Sequence, residues 1–296
     1  AQCELIRLDQ ALEEKAAEFD RVIKMGRTQM QDAVPIRLGQ EFSAYASSVR
    51  RSIERFDEVS KELCQVNLGG TAIGTGVNAN IHYMEKVVPN TALLTGLPLI
   101  AAADRIDGTQ NMDCFVRVSG VVKACAVSLS KMSNDLRLLS SGPRTGFGEI
   151  SLPPRQNGSS IMPGKVNPVI PEVVSQVAFA IVGNDVTITM AAEAGQLELN
   201  AFGPVLFDRL FDSIESLTGA VSTLIHHCIL GITAHPGRCR RLVERSVGII
   251  TVICPYVGYD TAARIAKEAL KTGCPIRQLL LEKGCLLPSS WIAFWT

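Results

Sequence analysis

The sequence predicts an all-α protein, and three observations predict it. Four long helical stretches dominate, the first with apolar residues in steps of three and four, strand signals are sparse, and long glycine-containing loops join the helices. Apolar residues at that spacing share one helix face, which has to be buried against another element.

The chain opens on charged residues among which Leu5, Leu8, Leu12, Ala16 and Phe19 keep helical spacing. That pattern is not a signal peptide. It starts part-way through a helix and without Met, so an N-terminal truncation is expected. The first long helix is predicted from about Leu38 to Gln65, with Phe42, Tyr45, Val49, Ile53, Phe56, Val59 and Leu63 on its apolar face. The second runs from about Asn111 to Leu139, rich in Val, Ala and Leu. The third runs from about Pro168 to Asn200 and is apolar almost all round, and the fourth follows Pro204 to about His227. Between Val173 and Ala192 the third helix has nearly the length to span a bilayer. It carries Gln176, Asn184 and Asp185, with Glu172 and Glu193 close by, which favours a helix buried in a bundle over a membrane span.

The loops lie at Gly26 to Pro35, Leu68 to Asn80, Ser140 to Gly158 and Gly158 to Pro168. After His235-Pro236-Gly237 the pattern shifts to short, charged helices up to Gly284. A boundary near Gly231 therefore divides a central helical domain, 1–230, from a small helical C-terminal domain, 231–296. The last stretch, Pro288 to Thr296, has two tryptophans and no charge.

Lysine plus arginine equals aspartate plus glutamate, 29 each, so net charge gives no reason to expect nucleic acid or an anionic membrane as partner. A neutral chain with 47% hydrophobic residues is expected to bury apolar faces between subunits, as a homo-oligomer. Its nine cysteines are scattered and form no C-x-x-C pair, which reads as reduced thiols in a cytoplasmic protein.

Candidate chemistry concentrates in GSSIMPGKVNP, Gly158 to Pro168. Its glycines allow tight folding and close approach to a ligand. Consecutive amides around Ser159, Ser160, Ile161 and Met162 can converge on an oxyanion, while Lys165 and Asn167 can hold a carboxylate by charge and by hydrogen bonds. The helix after Pro168 adds a dipole that favours an anion. The competing reading makes Asn167 an N-cap, Pro168 the first helical residue and Lys165 a solvated lysine.

A second segment, KMGRTQMQDAVPIRL, puts Thr28 and Gln29 on a loop between helices, where they can hydrogen-bond a carboxylate or serve an ordinary turn. NLGGTAIGTGVN has four glycines without the spacing of a phosphate loop and reads as a tight inter-helix loop. His226 and His227 are adjacent, so on a helix they diverge, and His82 and His235 read as isolated loop residues. No metal site and no G-x-S-x-G nucleophile elbow is expected.

GSSIMPGKVNP resembles the signature loop of the fumarase/aspartase superfamily, and the resemblance covers nearly the whole chain. GRTQMQDAVP, LGGTAIGTGVN, SSGPRTGFGEI, GQLELN and VGYDTAARIAKEA resemble family blocks, in family order. NPVIPEVV, MAAEAGQLELN and NDLRLLSSGPR are more similar to aspartases than to fumarases, where NPTQCEA and a histidine in place of Gln29 are typical. The resemblance implies a long central helix bundle assembled as a homotetramer, with active sites built from three subunits. It implies deamination of L-aspartate to fumarate and ammonia without metal or organic cofactor. Ser159 would be the general base, Lys165 and Asn167 would bind the α-carboxylate, and Thr28 and Gln29 would reach substrate carboxylate from another subunit. Glu172 would act behind the loop, and the loop would close over substrate, with Ser160, Ile161 and Met162 lining it.

The family also takes β-carboxylate ligands from an N-terminal domain, and nothing in this sequence matches them. The chain is thus expected to lack that domain. Its tail, PSSWIAFWT, does not resemble the polar end of the family. The alternatives are a fumarase, eliminating water from malate, and a non-catalytic truncated relative.

Overall fold

A computed structural model describes residues 1–156, 161–162 and 164–285. The order is α1 (Gln2–Glu18), β1 (Ile23–Thr28), β2 (Gln31–Arg37), α2 (Leu38–Glu62), β3 (Gln65–Val66), α3 (Ile81–Thr95), β4 (Ile100–Ala101), α4 (Asp107–Gln110), α5 (Asp113–Leu139) and β5 (Ile150–Ser151). It continues with α6 (Val169–Glu193), α7 (Gly203–His227), β6 (Thr233–Ala234), α8 (Pro236–Arg245), α9 (Ile249–Val257), α10 (Tyr259–Thr272) and α11 (Ile276–Glu282). Helices dominate, as the periodicity predicts. The four long helices predicted from it are α2, α5, α6 and α7.

Two compact units form. One comprises Ala1–Asp9, Ser47–Asp135 and Val169–His227; the other comprises Gln10–Ala46, Leu136–Pro168 and the chain from Cys228 onward.

In the first unit α5, α6 and α7 pack lengthwise, and polar pairs punctuate the apolar seams. Ser119 donates from α5 to Asp185 Oδ1 on α6 at 2.7 Å, and Lys123 donates to Asp185 Oδ2 at 2.5 Å. Ser130 donates to Ser175 at 3.2 Å along the same seam. On the other side Asn184 donates from α6 to Asp212 at 3.0 Å and to Ser213 at 3.1 Å on α7. By length and composition α6 could cross a membrane. Its buried Asp185, answered by two donors of α5, is instead the signature of a helix packed within protein.

Asp185→Ala leaves the Ser119 hydroxyl without its acceptor while Lys123, partly exposed, still reaches water. The expected loss is about 1–3 kcal/mol of stability, read as a lower urea midpoint with unchanged m-value. A midpoint equal to that of the parent protein would remove Asp185 from the account.

The third predicted helix is shorter than its apolar run. It stops at Glu193, where the Asn200 side chain donates to the carbonyls of Ala191 and Ala192, each at 3.0 Å, and accepts from the Phe202 amide at 2.8 Å. One asparagine thus closes α6 and opens α7. Leu197, at φ 52°, turns the chain between them. The helix also starts one residue after Pro168.

Two further expectations are corrected. His82 is no loop residue: it lies in the first turn of α3, where Asn80 accepts from its amide at 2.8 Å. Gly26 to Pro35 is no irregular loop either, but most of the antiparallel β1–β2 hairpin.

The second unit has its own core. Met25 of β1 packs with Val243 of α8, Ile249 and Ile253 of α9, Ile265 and Ala269 of α10, and Ile276, Leu279 and Leu280 of α11. Phe19 meets Phe42 edge-on at 5.2 Å, and Gly39 allows the approach, since a Cβ there would lie 2.3 Å from the Ala16 carbonyl oxygen.

All nine cysteines are free. Burial pushes the thiol of Cys125 up to about 11, and those of Cys228 and Cys239 up to about 12; at Cys239 the negative charge of Glu149 adds to burial. The thiolate is the reactive form. Iodoacetamide at pH 8 is therefore expected to modify exposed Cys3 readily and these three about a hundredfold more slowly, with the protection lost in denaturant. Mass spectrometry of the alkylated peptides checks this, and equal labelling of Cys3 and Cys239 would contradict it.

Candidate active site

The hairpin carries two of the candidate residues. Ile23 pairs with Arg37, Lys24 with Ile36 and Met25 with Pro35; beyond a register shift, Arg27 pairs with Asp32 and Thr28 with Gln31. Gln29 and Met30 are left as a two-residue turn at φ 51° and φ 64°. Positive φ at both central positions is the type I′ arrangement, which matches strand twist and ordinarily selects Asn and Gly. Holding two larger side chains there costs on the order of 1 kcal/mol each. The tip is exposed, with Thr28 and Gln29 directed to solvent.

Beneath the tip lies a cluster of charged side chains that the sequence reading did not single out. Lys24 is 2% exposed and donates to Glu41 Oε1 of α2 at 2.7 Å, with Glu149 Oε2 at 3.3 Å. Arg27 donates to Glu149 Oε1 at 2.9 Å and to the Met25 carbonyl at 3.2 Å, and its guanidinium lies 4.1 Å from the centre of the Phe147 ring. Glu149 is fully buried, so its charge depends on these cations. Asp32 of β2 stands at 3.9 Å from Arg27 as well, so three carboxylates, Glu41, Glu149 and the exposed Asp32, face the two cations.

The chain around Glu149 is itself held. Its amide donates to the Leu139 carbonyl at 2.9 Å, and its carbonyl accepts from the His235 amide at 2.9 Å. Arg238 of α8 donates to the carbonyls of Phe147 at 2.9 Å and Gly146 at 2.7 Å. Next along, β5 pairs with β6, and the Ser151 hydroxyl meets His235 Nε2 at 2.7 Å.

The segment after β5 leads to the glycine-rich loop. Ser159 and Ser160 lie outside the described residues. Of the remainder, Ile161, Met162 and Lys165 are exposed and Asn167 is half-buried. The Lys165 amide donates to the Met162 carbonyl at 3.1 Å, and Gly164 sits at φ 83°, a conformation that suits glycine. Among the described residues no side-chain hydrogen bond joins Thr28 or Gln29 to this loop. Glu172 stands half-buried in the first turn of α6, in the other compact unit. Among the described residues no group of three or more His, Cys, Asp or Glu is placed to hold a metal ion.

Among the described residues the arrangement presents exposed Lys165 and half-buried Asn167, and separately an exposed hairpin tip with hydrogen-bonding side chains, Thr28 and Gln29. Both suit recognition of a small carboxylate.

The pattern of the family described as "Lyase" matches residues 2–183, and that of "Fumarase C C-terminus" matches residues 249–291. The chain is 55% identical over 280 residues to an aspartate ammonia-lyase of Pseudomonas fluorescens, covering 94% of this chain and 59% of that relative. It is 51% identical over 273 residues to the aspartate ammonia-lyase of Bacillus subtilis (strain 168), covering 92% and 58%. It thus spans about three-fifths of the length of these curated relatives. A fumarate lyase:delta crystallin of Brucella melitensis, solved bound to cobalt, matches at TM-score 0.95 and 48% identity, over 99% of this chain and 64% of that one. A recombinant class II fumarase of Schistosoma mansoni matches at TM-score 0.91 and 33% identity, over 100% and 65%.

Proposed function

We infer the activity from one premise: this chain belongs to the lyase family of the fumarase/aspartase superfamily. Within it, the chain is a carbon–nitrogen lyase that interconverts L-aspartate with fumarate and ammonia. The observation that carries this reading is identity above 50% to relatives named aspartate ammonia-lyase, against 33% to the class II fumarase. Gln29 and NPVIPEVV after the lysine loop support the same choice.

The chemical difficulty is a very weakly acidic proton on the carbon beside the β-carboxylate. Its removal leaves an enediolate whose extra charge sits on the carboxylate oxygens and has to be stabilised there. Ser159 takes that proton, acting as a base because amides of the glycine-rich loop and Lys165 stabilise its alkoxide. Lys165 and Asn167 hold the α-carboxylate, and Thr28 and Gln29 reach substrate carboxylate from another subunit. Ser160, Ile161 and Met162 line the closing loop, and Glu172 acts behind it. Collapse of the enediolate then expels ammonia.

The assembly is a homotetramer with shared sites. Phe179, Val182, Val186 and Met190 support it, since they follow one another at helical spacing and stand out from α6 as an exposed apolar stripe. Sedimentation velocity tests it, and a monomer at working concentration would refute it. Along the sequence the separate family matches support a central lyase region, 1–230, and a small C-terminal region, 231–296, the latter sharing its core with Met25 of β1. A cytoplasmic location fits nine unpaired thiols, and cell fractionation tests it.

Fumarate formation, followed by ultraviolet absorbance with L-aspartate in one cuvette and L-malate in another, tests the substrate. Signal with aspartate alone supports the aspartase reading. Signal with malate alone replaces it with a fumarase, and silence with both favours a non-catalytic relative.

A further inference from the structure

We propose that Glu149 is a positioning residue, which sets the direction of the β1–β2 hairpin and so places Thr28 and Gln29 for substrate carboxylate; the proposal rests on the aspartase reading. A two-stranded ribbon has little stability of its own. Along β2 most residues are exposed or half-exposed, and the tip stands in solvent. Something at the base of the ribbon has to fix its angle.

Residues three apart on a regular strand point to opposite faces. Lys24 and Arg27 nevertheless both reach Glu149, at 3.3 and 2.9 Å. The register shift between Met25 and Arg27 sets one residue of β1, Gly26, against two of β2, Ala33 and Val34, which bends and twists the ribbon at the level where the two long side chains meet Glu149. Gly26 occupies the shift, and a Cβ there would lie 2.7 Å from the Val34 carbonyl oxygen. Both cations of β1 thus meet a single carboxylate beside the bent, glycine-containing part of the ribbon.

Glu149 can serve as its fixed point because its own backbone is tied on both sides, to Leu139 and to His235. Arg238 pins the preceding loop, and Phe147 of that loop provides the ring on which Arg27 stacks. An apolar side chain would fill the same space without directional demands on the hairpin. A carboxylate that accepts from Arg27 and pairs electrostatically with Lys24, both of one strand, constrains the angle and the register of that strand. Only one residue, Thr28, separates from the turn the strand position that Arg27 anchors, so a small rotation at the base moves the Gln29 amide by a comparable amount.

The test uses the whole chain and its Glu149→Gln and Glu149→Asp variants, with hydrogen–deuterium exchange and steady-state kinetics on L-aspartate. In E149Q the amides of residues 27–31 are expected to exchange about tenfold faster, with α6 and α7 unchanged. KM is expected to rise about tenfold while kcat changes less than about threefold, and E149D, which keeps the charge, recovers part of that KM. A purely structural role would lower the amount of active protein, and thus apparent kcat, at constant KM; that result overturns the proposal. So does unchanged exchange at the hairpin tip in a folded E149Q. Should E149Q fail to fold, Lys24→Met keeps the side-chain length and leaves Arg27 on Glu149, and the same two outcomes are read from it. If the parent chain makes no fumarate from L-aspartate and the tip still loosens in E149Q, the substrate reading falls and the anchoring of the hairpin stands.

Discussion

Replacing Ser159 by alanine is expected to lower kcat for L-aspartate about 10²–10⁴-fold, the range associated with loss of a positioned general base. The step proposed for it removes a very weakly acidic proton. An ordinary hydroxyl is far too weak a base near neutral pH, so Ser159 is useful only where its alkoxide is stabilised by amides and a cation. The glycine-rich run from Gly158 to Gly164 can provide the amides and Lys165 the cation. KM should move little, because the role proposed for Ser159 is to take a proton and not to hold the carboxylates. Initial rates of fumarate absorbance and an unchanged circular dichroism spectrum are the measurements. Near-normal turnover in a folded Ser159→Ala protein would falsify the assignment.

Lys165→Met is expected to act differently. Lys165 is exposed, and among the described residues it pairs with no carboxylate, so its ammonium is available to an anionic ligand. A charge-assisted hydrogen bond of this kind is worth about 1.5–3 kcal/mol, which corresponds to about 10–150-fold in kcat/KM. The loss should appear in KM, through the α-carboxylate, and in kcat as well, through the Ser159 alkoxide that the same lysine is proposed to stabilise. Arginine is expected to restore only part of it, since its planar fork does not replace a compact ammonium inside a tight loop. A Lys165→Met protein with unaltered KM and kcat would show that this lysine is merely solvated.

These two residues and Asn167 could be nominated from the sequence because the chemistry proposed for them is local. Glycines, a lysine and an asparagine within eleven residues, ahead of a long apolar run, describe a ligand loop at a helix start wherever the rest of the chain lies. Thr28 and Gln29 were legible as candidates, but their setting was not. The turn that holds them lacks the Asn-Gly or Asp-Gly pair that marks a type I′ hairpin, and Pro35 within β2 argues against a strand. Glu149 was hidden for another reason. Its partners Lys24 and Arg27 are more than a hundred residues away in sequence, and nothing in the spacing of charged residues records such a meeting.

By itself the sequence determined the helical class, the four long helices to within a few residues at most of their ends, and the loop where charge and glycine gather. Periodicity and loop chemistry are properties of neighbours along the chain, so they survive without a fold. Only the tertiary structure decided that α6 ends at Asn200's cap, seven residues before its expected end, that a loop is a hairpin, and that a buried carboxylate anchors its base. Each of those outcomes depends on a donor or acceptor brought in by packing, and buried polar groups accept whichever partner the fold supplies.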